Sequence, residues 1–360
     1  MKIIILIFLI LISISCIFSQ EIKIRKQVDT IGFASNFENL KEFIKRANES
    51  NEKYLNDDIK KIVNDNNTSW KLAICPHDDY TYVGGLYPAL LKGIKAKTVI
   101  IFGVCHKAKM FGLENKIIFD LFDKWKTGGR LTDVSVLRNE IINLLPKDTY
   151  IIYDSVQAVE HSVEAIIPFL KYYNPEVKII SILVPYMNYT KMNEIANPLS
   201  DVIIYVMKNN NLKWGEDIAM VISNDAVHYG DTLWGGNDFS FCGKFQEGYQ
   251  NAIKHEKEII QNCLTNELSK DKIKLFTEYT IKEDNYKEYK WTWCGRYSVP
   301  FGLLVCNNLA GYYGIKPEGK LLCYSTSIDH PTIKVDDIGM GVTAIATLRH
   351  WVGYCVIGFR

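Results

Sequence analysis

The chain has 360 residues, of which 48% are hydrophobic and 23% charged, with a formal net charge of +1. That is ordinary globular composition, long enough to bury a substantial core. No basic stripe or acidic tail is present, which argues against nucleic acid as a partner.

The chain begins Met1-Lys2, continues with an unbroken apolar run over residues 3–12, and then reads Ser13-Ile14-Ser15-Cys16. A positive start, a short apolar core and small residues predict a secretory signal peptide over residues 1–20, too short for a membrane span. Cleavage before Cys16 would make a bacterial lipoprotein attached to the membrane through a lipidated Cys16. The expected location is therefore the cell envelope. Of the nine cysteines, the eight after Cys16 are widely spaced with no CxxC, so no disulfide framework is read, despite an oxidising compartment. Cys75, Cys306, Cys323 and Cys355 lie in apolar runs and read as small core residues.

Residues 21–69 are polar and charged, with helix expected around 36–63 and Asp57-Asp58 suited to a helix start. After a turn-rich break at 64–69, a buried strand over 71–75 ends at Pro76-His77. A helix over 87–94 follows Gly84-Gly85, and a second buried strand over 98–102 ends at Gly103. Helical spacing over 133–145 stops at Pro146; another amphipathic helix is expected over 162–173, opened by Ser162 and closed before Pro175. A third strand over 177–184, a helix over 192–208 and a fourth strand over 218–223 follow. Residues 245–268 read as helix, and 275–279, 321–327 and 339–346 as later strands. The alternation predicts an α/β fold, with a mixed, largely parallel central sheet and helices on both faces, in one domain over residues 30–360.

Strands of such a sheet end along one edge, so residues far apart in sequence converge there. Five motifs are placed to do so. His77 follows the first strand and precedes Asp78-Asp79; its plain alternative is a loop histidine paired with a carboxylate. His106 closes Gly103-Val104-Cys105-His106; adjacent residues on an extended chain point opposite ways, so Cys105 reads as a buried neighbour and not a co-ligand. In Glu160-His161-Ser162 the acid can accept the His161 ring N–H, although the same triplet also reads as a helix start. Asp225 and His228 have the spacing of two ligands or an acid/base pair, or of a hydrogen-bonded pair beneath a site. Cys294-Gly295-Arg296 presents a thiolate that Arg296 would keep ionised, while Arg296 could instead anchor an anionic substrate. His255, His330 and His350 lack such context and are assigned to surface or core. No phosphate loop, GxSxG or HExxH occurs, and Gly84-Gly85 alone does not indicate nucleotide binding.

In this order the motifs resemble those of the Memo family, also called AmmeMemoRadiSam system protein B, over about residues 70–360. The family pattern runs His-Ala-Gly-Tyr-x-Tyr-Ser-Gly, Gly-Pro-Ser-His, Glu-His-Ser, Ser-Ser-Asp-x-x-His-Tyr/Trp-Gly and Cys-Gly. His77, Tyr80, Tyr82, Gly84, Gly103, His106, Glu160, His161, Ser162, Ser223, Asp225, His228, Tyr229, Gly230, Cys294 and Gly295 match it. The resemblance implies a fold similar to the class III extradiol (LigB-type) dioxygenases. It also implies an iron or copper site formed by His77, His106 and Cys294, with Asp225 and His228 lining the same pocket. Members often accompany a radical-SAM protein, which hints at redox chemistry. The chain departs at Asp78-Asp79, at Val104-Cys105 and in its signal peptide, which bear on substrate and pathway and leave the ligands intact.

The resulting expectation is a metal-dependent oxidoreductase. Fe(II), or alternatively copper, would sit on His77, His106 and Cys294; His228 or His161 would act as general acid/base, with Asp225 orienting it. The rivals are a non-enzymatic metal-binding or redox lipoprotein, and a module binding a peptide or small ligand. A deep cleft lined by Tyr80, Tyr82, Trp291 and Trp293 would favour the enzyme.

Overall fold

The computed structural model describes residues 21–53, 55–65, 67–329 and 332–360. The expected signal peptide, Cys16 and His330 lie outside the described residues.

Four strands are buried along their whole length or nearly so: Leu72–Cys75 (β1), Thr98–Val104 (β2), Lys178–Val184 (β3) and Ile218–Ser223 (β4). They pair in parallel in the order β3-β2-β4-β1. Continuous apolar runs suit them because both sheet faces are covered. Alternate side chains feed two separate cores: Ile100 and Phe102 face one, Val99 and Ile101 the other. Beyond β1 the sheet turns antiparallel, through Glu318–Thr326 (β5) and His350–Phe359 (β6), with β6 next to β1 and β5 outside it.

One core is covered by the helices Tyr189–Asn209 (α1) and Ser298–Tyr313 (α2). The latter lies flat on the sheet: a Cβ on Gly302 would stand 2.5 Å from Ile222 and 3.0 Å from Phe102. Among the described residues no helix is long and apolar enough to cross a membrane.

The register decides where the motifs go. Cys75 lies opposite Ser223, Ile222 opposite Phe102, and Val104 opposite Val184. The carboxyl ends of β1, β2 and β4 thus form one edge, from which His77, His106 and Asp225 emerge.

Several expected elements differ. Residues 275–279 lie in the helix Lys270–Thr280, whose buried residues Ile273, Phe276, Thr277 and Thr280 follow a helical period, with Ser269 capping its start. Residues 339–346 form turns, with Gly339 at φ +70°, and the strand begins at His350. Asp133 and Val134 belong to the strand Arg130–Val134, so that helix starts at Leu137. Ser162 caps no helix; its hydroxyl donates to Val104 O (2.9 Å), and the helix begins at Ile167 with Pro168 in its first turn. Residues 245–268 are helical only over Gln246–Cys263, and the helix expected over 87–94 stops at Leu91. Helix α2 was not anticipated from the sequence. The eight cysteines after Cys16 carry free thiols.

Candidate metal centre

His77 is 1% exposed and fixed at two points. Its backbone N–H donates to Asp225 Oδ1 (2.8 Å), and its Nδ1 lies 2.7 Å from Ser223 Oγ. The Ser223 hydroxyl proton is already committed to Ser162 O (2.5 Å). Ser223 Oγ therefore accepts from Nδ1–H, and this network assigns the tautomer that leaves the Nε2 lone pair free. Nε2 stands 3.6 Å from Cys294 Sγ and 3.4 Å from Asp225 Oδ2.

Glu160, expected from the sequence to accept the His161 ring N–H, serves His106 instead. Glu160, fully buried, accepts from His106 N and Nδ1, both at 2.8 Å, from His161 N at 3.0 Å and from Ser162 N at 3.1 Å. Glu160 thus orients His106; the His161 ring nitrogen is 3.6 Å away. Burial pushes the Glu160 carboxyl up, but His106 and the donated hydrogen bonds outweigh it and bring it to about 2. Glu160 engages Nδ1 and leaves Nε2 as the ring nitrogen that has no contact with the carboxylate. Partial burial and the neighbouring His106 lower His161 to about 4.

The three imidazoles cluster. Ring centroids are 5.2 Å apart for His77–His106, 5.6 Å for His77–His161 and 4.7 Å for His106–His161. Two groups of donor atoms lie within 4.8 Å of one another: His77, His106 and His161, and His77, Asp225 and Cys294. His77 is common to both, and His106 and Cys294 fall one in each. His161, expected as an acid/base, stands among the donor groups.

Cys294 is 6% exposed. Its Sγ accepts from Asp225 N at 3.1 Å and lies 3.4 Å from Asp225 O. Burial, then Asp225, pushes the thiol well above its ordinary range. The expected ionising role of Arg296 is not met. That guanidinium stacks over Tyr289 (3.4 Å) and Tyr297 (4.7 Å) and donates to Lys287 O. Gly295 is required by close approach: a Cβ there would meet Asn224 Oδ1 at 2.2 Å, where Gly295 N donates (3.0 Å).

Asp225 and His228 do not form the pair their spacing suggested, because the Asp225 carboxylate is turned to His77. Burial, then Asp78, raises Asp225 well above the carboxylate range. His228 packs against Trp234 (5.1 Å), its Nε2 is buried without a partner among the described residues, and burial followed by His106 lowers it to about 3. Buried Cys105 belongs to neither donor group, as the strand geometry required.

His77, His106, His161, Asp225 and His228 line a cleft of about 370 Å³, and Cys294 is not part of its wall. Asp29, Phe33, Asp78, Asp79, Tyr82, Trp234 and His350 are also part of its wall. Of the four aromatics expected in it, only Tyr82 is present. Tyr80 is buried with its hydroxyl on Ala165 O, and Trp291 and Trp293 both donate to Glu256 Oε1 at 2.5 Å. His350, assigned from sequence to surface or core, lines the cleft, stacked on Trp234 at 4.1 Å. Asp79 accepts from Thr343, and burial, then Asp78, pushes its carboxyl up to about 7.

The donor set fits a transition metal: imidazole nitrogens with free lone pairs, a thiol, and a carboxylate behind one imidazole.

The family model for "Memo-like protein" matches residues 40–343. A MEMO1 family protein of Aquifex aeolicus (strain VF5) is 28% identical over 304 residues, 82% of this chain and 70% of the relative. One from Saccharolobus islandicus (strain M.14.25 / Kamchatka #1) is 30% identical over 162 residues, 43% of this chain and 52% of the relative. One from Methanosarcina barkeri (strain Fusaro / DSM 804) is 24% identical over 159 residues, 44% and 54% respectively. The match to the two archaeal relatives thus spans about half their length.

Proposed function

The chain belongs to the Memo-like family, and on that premise we propose that it is a metal-dependent oxidoreductase with one iron or copper ion at the head of the cleft. Fe(II) is the first choice and copper the second. His77 Nε2, His106 Nε2 and Cys294 Sγ are the proposed ligands. The observation that carries this reading is the hydrogen-bond network that engages Nδ1 of both rings and leaves both Nε2 atoms as the free ring positions, with Cys294 Sγ 3.6 Å from that of His77. His161 is the rival third ligand: its donor atom lies within 4.8 Å of those of both histidines, whereas Cys294 groups with His77 and Asp225 and not with His106. Nitrogen with sulfur favours iron or copper over magnesium or calcium. The ion, when bound, would supply one-electron chemistry and polarise a substrate oxygen.

The protein's own part is to hold substrate and move protons. Asp225 fixes His77 through its backbone N–H and keeps Cys294 in place through its own. His228, half-buried on the cleft wall with its Nε2 enclosed and without a partner among the described residues, is the proposed acid/base group, and His161 the second candidate. A cleft of about 370 Å³ is sized for a small molecule.

The test is metal analysis of the purified protein beside His77→Ala, His106→Ala, Cys294→Ala and His161→Ala. Loss of metal in the first three, with His161→Ala retaining it, is expected. Retention in Cys294→Ala with loss in His161→Ala would exchange the third ligand. Full occupancy in all four would contradict the reading.

A second reading, a non-enzymatic metal-binding or redox lipoprotein exported to the cell envelope, is supported by the pattern of residues 1–20 with Cys16. Intact mass of the membrane fraction tests it, since an unprocessed Met1 would end it.

A further inference from the structure

Residues 23–33 run along the sheet edge as an arm outside the family-matched span of 40–343. Its strand Ile24–Lys26 pairs in parallel with Lys124–Thr127, and only Arg25 of the three points inward. Arg25 is 1% exposed. Its guanidinium lies over Trp125 at 4.5 Å from the ring centre. Nε donates to Gln157 O (3.2 Å), Nη2 to Glu160 O and Nη1 to the Glu164 carboxylate. Glu164 in turn accepts from Val28 N (2.9 Å) and Asp29 N (2.6 Å), tying the arm to the same loop. Two residues further along the arm, Asp29 and Phe33 reach the cleft wall.

One planar fork therefore grips the segment on both sides of Glu160–His161. Glu160 sets the His106 ring, and its backbone carbonyl is itself held by Arg25. We propose that Arg25 is a positioning residue of the metal centre: by fixing the Glu160 backbone it holds the carboxylate against His106 Nδ1–H and keeps Nε2 turned to the ion. This rests on His106 being a ligand. Lys substitutes only in part, because an ammonium lacks the planar fork that reaches three acceptors at once.

The test compares wild type with Arg25→Met, Arg25→Lys and, as a control for general destabilisation, Ile195→Ala on the buried face of α1, in the core on the other side of the sheet from Trp125. Ring nitrogen NMR of the metal-free protein reads the His106 tautomer, and chelator competition reads affinity for Fe(II) and Cu(II). In Arg25→Met the single Nδ1–H signature of His106 is expected to give way to a tautomer mixture, with metal affinity falling about tenfold or more. Arg25→Lys is expected to move the same way by a smaller amount, and carries the test if Arg25→Met does not fold. Ile195→Ala is expected to lower the unfolding temperature and leave both readouts unchanged. An unaltered His106 signature in the Arg25 variants would overturn the proposal. Absence of metal binding in wild type would instead defeat the proposed function, with the ring signature still deciding the role of Arg25.

Discussion

Glu160→Gln is the most informative single change, because it alters charge and acceptor count at nearly constant shape. The carboxylate accepts four N–H groups: three on Oε1, from His106 Nδ1, His161 N and Ser162 N, and one on Oε2, from His106 N. Glutamine keeps one acceptor oxygen. With that oxygen on the three-donor side, its NH₂ group faces the His106 backbone N–H and leaves a buried donor unsatisfied, at about 1–3 kcal/mol. With the amide reversed, NH₂ faces Nδ1, the ring proton moves to Nε2, and His106 loses its ligand lone pair. Either route weakens the carboxylate–histidine–metal arrangement, for which such changes typically cost about 10–100-fold in metal affinity. That corresponds to about 1.4–2.8 kcal/mol. Competition against a chromogenic chelator measures the affinity, and urea unfolding of the metal-free protein measures the stability. An affinity within about twofold of wild type, with unchanged unfolding, would refute the assignment of Glu160 as the group that sets His106.

Other consequences follow from the same geometry. Gly295→Ala places a Cβ 2.2 Å from Asn224 Oδ1, so a loss of about 1–3 kcal/mol in thermal unfolding is expected; unchanged stability would show that the Cys294 turn relaxes freely. Burial pushes Glu256 up to about 7 while Trp291 and Trp293 donate to it, so tryptophan emission should titrate near pH 7 in wild type and not in Glu256→Gln. Because the folded form of Glu256 binds its proton more tightly than the unfolded chain, its contribution to stability is full below about 4.5 and lost as pH rises to about 7. His161 and His228, lowered to about 4 and about 3, act oppositely: below about 6.5 the unfolded chain takes up protons first. The metal-free protein should therefore lose stability from these groups as pH falls from about 6.5 to 4, and the double variant His161→Gln, His228→Gln should show a flatter urea-unfolding profile. An equal slope in both would contradict neutral histidines in the fold.

The four parallel strands were legible because a strand covered on both faces reads as an unbroken apolar run. The convergence of His77, His106 and Asp225 followed from strand ends sharing one edge. What escaped is long-range or packing-determined. Residues 275–279 look like a strand by composition, and only Ser269 and the buried period through Thr280 mark a helix. Helix α2 is apolar on almost every side, so no amphipathic period announced it. Asp225 and His228 share a motif but not a contact, since three residues after a strand suffice to turn one side chain to His77 and the other to Trp234. His350 carries no local motif; the antiparallel pairing of Gly230 with His350 brings it to the cleft. The grip of Arg25 on Glu160 spans 135 positions and leaves no periodic trace.

The central claim is that one transition-metal ion sits between His77, His106 and Cys294. Anomalous scattering at the iron and copper edges, from crystals grown without added metal, tests it most directly. A single peak is expected within bonding range of His77 Nε2 and His106 Nε2, adjacent to Cys294 Sγ. A peak elsewhere in the molecule, or none at that position after soaking with Fe(II) or Cu(II), would contradict it.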